Sequence, residues 1–290
     1  MKNQDFTFAY FGSSELSVFV LDELKHLGIM PSLIVSTPDK HKGRKLVLTP
    51  TSVTLWARTH NIPVITPQKL DDAANAELSK TPFDVFVVAS YGKIIPQKTL
   101  DISRKGVLNV HPSLLPTYRG PAPLQTAILD DNQSTGVSIM LLDSMMDHGP
   151  ILAQAHVNLP TWPILFMDLK KTLAEEGARM LADVIPKWIA GTLEAKEQDH
   201  SKATFTKKIT KEDGLIELSD PSAPNPALDR QNFLKYCAYT PWPSVYFFIE
   251  KDGKKTRIKI TKARFENEKF VIEKVIPEGK GEIEYKSLSI

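Results

Sequence analysis

Cysteine is nearly absent. The 290 residues contain one, Cys237, so no internal disulfide can form and a multi-cysteine zinc site is excluded. Such sparing use fits a reducing compartment, and the cytoplasm is the expected location. A charge surplus is missing as well. Lys and Arg number 36 against 34 Asp and Glu, a formal net charge of +2, which denies the chain the overall basic excess of a nucleic-acid coat protein and leaves local contact as its only route to nucleic acid. Long apolar runs are lacking. Stretches such as Phe83 to Ala89 fall far short of a membrane span, and the opening MKNQDFTFAYFG is too interrupted for a secretory leader; no membrane partner is expected. Gly12-Ser-Ser-Glu is not a G-x-G-x-x-G fingerprint, which speaks against a dinucleotide-dependent dehydrogenase. The histidines show no ligand spacing with one another or with acids, so no metal is expected.

With 42% hydrophobic and 24% charged residues the chain is globular, and its length favours one large domain plus a smaller one. Through the first 190 or so residues, strand-length apolar runs alternate with helix-length amphipathic stretches. Strands are predicted at Phe6 to Phe11, Ser32 to Ser36, Pro63 to Ile65, Asp84 to Ser90, Val107 to Val110 and Val137 to Leu142. Helices are predicted at Glu15 to Leu27, Thr51 to His60, Asp71 to Lys80, Pro123 to Leu129 and Phe166 to Ile189. This is the pattern of an α/β, Rossmann-like doubly wound, mostly parallel sheet. After Gly191 the composition changes. Short apolar runs separated by turns such as Lys251-Asp-Gly-Lys predict a small antiparallel barrel or sheet, with 17 basic against 13 acidic residues from Ser201 onward. The expected organisation is a catalytic domain over 1–190, a linker over 191–204 and a C-terminal β domain over 205–290.

The segment Val107-Leu-Asn-Val-His-Pro-Ser-Leu-Leu-Pro-Thr-Tyr-Arg-Gly120 carries the chemistry. A strand ending near Val110 puts Asn109 and His111 on one side, at the edge where open α/β sheets bind ligands. An amide and an imidazole there can both donate to a developing oxyanion, which suits acyl chemistry without a Ser or Cys nucleophile. Asp147, in DSMMDHGPI, supplies a carboxylate that would orient the ring, favour its protonated form and accept a proton if the two loops converge. On the residues alone, a structural reading stands beside this one: Asn-x-His at a strand end also occurs in turns, and an Asp near a Gly makes local hydrogen bonds. Likewise Lys40-His-Lys-Gly-Arg-Lys45 reads either as a solvated loop or as a site for phosphates and unpaired bases. Cys237, on a predicted helix over Leu228 to Ala238, reads as a small core residue.

NVHPSLLPTYRGPAPLQ and LDSMMDHGPIL closely resemble the two long signature segments of the folate-dependent formyltransferases. The likeness extends to Phe8 to Gly12, Thr37 to Leu46, Ala89-Ser-Tyr-Gly-Lys-Ile-Ile-Pro96, Thr204-Phe-Thr-Lys-Lys-Ile and Thr240-Pro-Trp-Pro-Ser, nearly the whole chain. It implies transfer of the formyl group of 10-formyltetrahydrofolate to the amino group of methionine on initiator methionyl-tRNA. By the same resemblance Asn109, His111 and Asp147 form the catalytic trio, Ser113, Leu114, Leu115 and Pro116 contact the folate, and Tyr91, Gly92, Ile94 and Ile95 line the pterin pocket. Lys40, Lys42, Arg44 and Lys45 fall in a loop that enters the tRNA acceptor end, and the C-terminal domain becomes OB-like. A monomer is expected. Departures from the family pattern are Ser14 for proline, Pro112 for glycine, His148 for threonine beside Asp147, and the ending GKGEIEYKSLSI. Amino-sugar-nucleotide formyltransferases and formyl-folate hydrolases share the central elements, and a non-catalytic RNA-binding module is the alternative of another class.

Overall fold

The computed structural model of the chain describes residues 4–42, 46–220, 222–251 and 253–288. In chain order its elements are β1 (Phe8–Phe11), α1 (Glu15–His26), β2 (Leu33–Val35), β3 (Lys40–Lys42), β4 (Val47–Thr49), α2 (Ser52–Thr59), β5 (Val64–Ile65), α3 (Asp72–Leu78), β6 (Val85–Val88), α4 (Gln97–Leu100), β7 (Val107–His111), α5 (Pro123–Leu129), β8 (Thr135–Leu141), β9 (Ile151–Val157), α6 (Phe166–Ile189), α7 (Pro226–Tyr239), β10 (Tyr246–Lys251), β11 (Lys254–Glu266), β12 (Lys269–Pro277) and β13 (Ile283–Glu284).

The main sheet runs β5-β2-β1-β6-β7-β8-β9. Its first five members are parallel, and β8 and β9 are added antiparallel. The parallel strands are short continuous apolar runs, FAYF in β1 and VFVV in β6, buried along their whole length as strands covered on both faces must be. Chain order reverses between β1 and β6, the switch point beside which such sheets bind ligands at their carboxyl edge. There Gly12 turns the chain into α1; a Cβ on it would lie 2.7 Å from that of Ser17. Ser14 caps the helix and exchanges hydrogen bonds with Ser17. Ser13 donates through its amide to Ser90 O and through its hydroxyl to Tyr91 O, tying the exits of β1 and β6 together.

The sequence-predicted strands and helices of this sheet are all present. Two strand features were not predicted. β9, ILAQAHV, is the edge strand, with Leu152 alone buried, Gln154 and His156 exposed and the rest half-buried. Lys40 and Lys42 lie on β3, which pairs antiparallel with β4, so the basic stretch begins as a hairpin.

The chain divides into two compact units, one of 1–120, 134–158 and 170–205, the other of 121–133, 159–169 and 206–290. The second unit is interleaved with the first along the sequence. In it α5 packs against α7, and Arg230 on α7 forks onto the Asp131 carboxylate at 2.8 and 3.1 Å, where Trp162 also donates. Its antiparallel sheet runs β10-β11-β12-β13, with Phe233 of α7 stacked on Phe265. No helix among the described residues is long and apolar enough to cross a membrane.

Candidate active site

β7 and β6 are parallel neighbours, Val88 opposite Asn109, so the segments that leave them emerge side by side at the carboxyl edge. Asn109 and His111, two residues apart on β7, share one side of the strand. Both are buried, His111 to 4% exposure. Among the described residues no protein group hydrogen-bonds the side-chain amide of Asn109, which leaves its N–H groups for an incoming oxygen.

The ring of His111 is fixed at one nitrogen. Its Nε2 lies 3.0 Å from Tyr118 O, and a carbonyl only accepts, so Nε2 carries a proton. Nδ1 therefore faces the reacting space, 3.6 Å from Oδ1 of Asp147. That distance is too long for a hydrogen bond but close enough for the carboxylate to act on any charge the ring takes up. The ring's hydrogen-bond partner is the loop carbonyl of Tyr118, with the Asp147 carboxylate beside its other nitrogen. The other carboxylate oxygen of Asp147 accepts from Gly120 N–H at 2.7 Å. Asp147 itself sits at φ +48°, the left-handed region a non-glycine residue enters at a cost. Two residues on, Gly149 presses against β8, where a Cβ would fall 2.1 Å from Leu141 O.

The loop after β7 is internally wired. Ser113 N donates to His111 O, and Ser113 Oγ is 2.6 Å from Thr117 O. Ser138 on β8 accepts from Leu115 N and donates to Ser113 O, while Gln154 on β9 donates to Leu115 O. The Ser113 hydroxyl is thus committed within the loop and the Leu115 side chain is buried, whereas Leu114 and Pro116 are half-buried. In the neighbouring segment Tyr91 turns inward, its ring edge-on to Phe11 at 5.5 Å, and burial pushes its hydroxyl up to about 12. The surface there is made by Gly92 and Ile94, with Ile95 packed onto the core beneath. Ile94 is 92% exposed.

Of the basic residues, Lys40 is exposed and Lys42 contributes backbone to β3; Arg44 and Lys45 lie outside the described residues. The hairpin also bares Val47 and Leu48. Lys93 donates to the carbonyls of Pro67 and Gln68; desolvation, with the charge of Lys40, lowers the pKa of its amine. Among the described residues no three His, Cys, Asp or Glu side chains form a metal-binding group.

Sequence reasoning missed Gln198. The segment around it, read as a linker, lies along the first unit: Ile151 and Lys196 exchange two main-chain hydrogen bonds, and the buried Gln198 reaches Arg119, Asp147 and Gly149. Its own spacing held no signal, because its partners lie 49 to 79 residues away. His148, which the sequence singled out, donates to Asp143 and stacks on His200 rather than turning toward His111.

The sequence profile of a family described as Formyl transferase matches residues 7–189. Methionyl-tRNA formyltransferase of Chloroflexus aurantiacus is 43% identical over 240 residues, covering 82% of this chain and 75% of its own. The protein of the same name from Thermotoga maritima is 37% identical over 211 residues, covering 72% and 67%. Among solved structures, a 4-N formyltransferase from Francisella tularensis aligns with a TM-score of 0.63 at 17% identity, over 86% of this chain and 95% of its own. An N-formyltransferase from Helicobacter canadensis, determined with folinic acid and dTDP-3-aminofucose, aligns with a TM-score of 0.60 at 17% identity, over 92% and 95%. At that identity the solved structures speak to the fold.

Proposed function

The chain belongs to the formyl transferase family, and on that premise we propose that its buried Asn109 and His111, with the half-buried Asp147, transfer a formyl group from 10-formyltetrahydrofolate to the amino group of initiator methionyl-tRNA. The observation that carries this reading is the meeting, at the end of β7, of an amide that no group among the described residues hydrogen-bonds, an imidazole nitrogen, and a loop carboxylate 3.6 Å from that nitrogen. The names of the relatives at 37 to 43% identity support methionyl-tRNA as the acceptor.

The folate, when bound, supplies a formyl group already activated on nitrogen. Leu114, Pro116, Gly92 and Ile94 offer the surface for its ring system. Asn109 donates to the formyl oxygen as negative charge develops there, and His111 adds a second donor through Nδ1 when protonated. The acceptor amine forms its bond to the formyl carbon as the bond to the folate nitrogen breaks. Asp147, held by Gly120 N–H, accepts the proton the amine must lose and gives it up to the departing nitrogen, which restores the carboxylate. No nucleophile from the protein is needed. Lys40, Lys42, Arg44 and Lys45, with the basic surplus of the C-terminal residues, supply charge for the tRNA backbone.

Incubation with 10-formyltetrahydrofolate and either methionyl-tRNA or an amino-sugar nucleotide tests the assignment. Formylmethionine recovered from the tRNA is the expected product. Formylation of the sugar alone, or release of formate with no acceptor modified, would overturn it.

A further inference from the structure

The buried side chain of Gln198 has every hydrogen-bonding position in use. Oε1 accepts from Nε and Nη2 of Arg119 at 3.2 and 2.6 Å, and Nε2 donates to the main-chain oxygens of Asp147 at 3.0 Å and Gly149 at 2.7 Å. An amide offers two acceptor and two donor positions, so this one is saturated. Arg119, also buried, is itself anchored: its amide donates to Thr204 O at 2.9 Å. The next amide along, Gly120 N–H, is the one that holds the Asp147 carboxylate.

Asp147 is therefore gripped from two directions by one network, on its carboxylate by the residue after Arg119 and on its main chain by the glutamine bound to Arg119. The grip falls where the backbone is strained, at φ +48°, and where Gly149 leaves no space against Leu141. A second route supports the first. Nη2 of Arg119 donates to Nδ1 of His200 at 2.8 Å, the His200 ring lies 4.0 Å from that of His148 and nearly parallel to it, and His148 is bonded to Asp143 at the start of the same loop.

We propose that Gln198 is a positioning residue for the reaction, holding the Asp147 turn through two main-chain carbonyls so that the carboxylate stays against His111. It touches none of the reacting groups and acts through Asp147. Docking of its own segment does not require it, since the reciprocal bonds between Ile151 and Lys196 fix the chain two residues earlier. Without its N–H groups, the buried carbonyl of Gly149 and the part-buried carbonyl of Asp147 lose this donor and the strained turn loses what holds it.

The inference rests on the formyl-transfer reading, and two variants with two readouts separate the two. Gln198→Ala removes the whole clamp. Gln198→Glu keeps an acceptor for Arg119 but deletes both donors. In both, kcat for methionyl-tRNA is expected to fall ~10- to 100-fold, the scale of a reacting group displaced by about an ångström, with KM for either substrate within ~2-fold. Hydrogen exchange at Gly120 N–H is expected to quicken ~10-fold or more while the amides of β7 keep their protection. Wild-type kcat in the Glu variant, a raised KM with kcat intact, or unchanged Gly120 exchange would overturn the proposal. If the wild type formylates no amine, the reading of the site fails, and the Gly120 amide still decides whether the clamp exists.

Discussion

At the scale of single residues, His111 is committed at Nε2 before any substrate arrives, and this decides which ring nitrogen can do chemistry. The two-residue period of a strand was enough to place Asn109 and His111 on one side, since nothing but local geometry is involved. The donor to Tyr118 O was not legible, because that carbonyl belongs to a loop whose path depends on Ser138 and Gln154 from other strands. Tyr91 teaches the same lesson from the other side: the resemblance put it in the pterin pocket, yet its ring is part of the core and its neighbours Gly92 and Ile94 face outward. Cys237 reads alike in sequence and structure, as a fully buried thiol that burial pushes up to about 12. Its alkylation by iodoacetamide at pH 8 is expected to be at least ~100-fold slower in the folded protein than in denaturant, because the thiolate is the reacting form. A buried thiol raised in this way favours the folded state fully below the ordinary thiol range of ~8.5, and the contribution fades as pH climbs from there toward about 12, where the folded form also ionises. Equal alkylation rates in the two states would contradict that burial.

Among elements, α6 comes close to β7 at the residue between Asn109 and His111. Gly177 of α6 faces Val110, the residue between Asn109 and His111, and a Cβ there would come within 2.4 Å of Val110 Cγ1. Valine is stiff at χ1 and cannot step aside cheaply. Gly177→Ala is therefore expected to cost ~1–3 kcal/mol, read as a drop in Tm, and to lower kcat as β7 shifts. An unchanged Tm would contradict the close packing. Elements with strong local signals were legible: the apolar runs of β1 and β6, and helices placed to within a residue at Thr51 and Asp71, which the structure shows as caps accepting from main-chain N–H groups rather than as first helical residues. The path of residues 192–205 was not, since it takes its order from partners far along the chain.

For the whole molecule, the sequence suggested a cut near residues 191–204, whereas compactness groups 121–133 and 159–169 with the C-terminal residues. The reason is visible in the Arg230 fork onto Asp131, 99 residues away, which no linear reading can see. Charge divides along the chain too, with 17 basic and 13 acidic residues from Ser201 onward. In the proposed function tRNA capture falls to scattered cations, and formyl transfer to the end of β7 and the loop that carries Asp147. One measurement tests that separation most directly: turnover and tRNA affinity of Asn109→Ala and His111→Ala, measured side by side with 10-formyltetrahydrofolate and methionyl-tRNA. Loss of an oxyanion donor is expected to reduce kcat ~100- to 1,000-fold in each variant while Kd for the tRNA stays within ~2-fold. Turnover near the wild-type value in either variant would contradict the account.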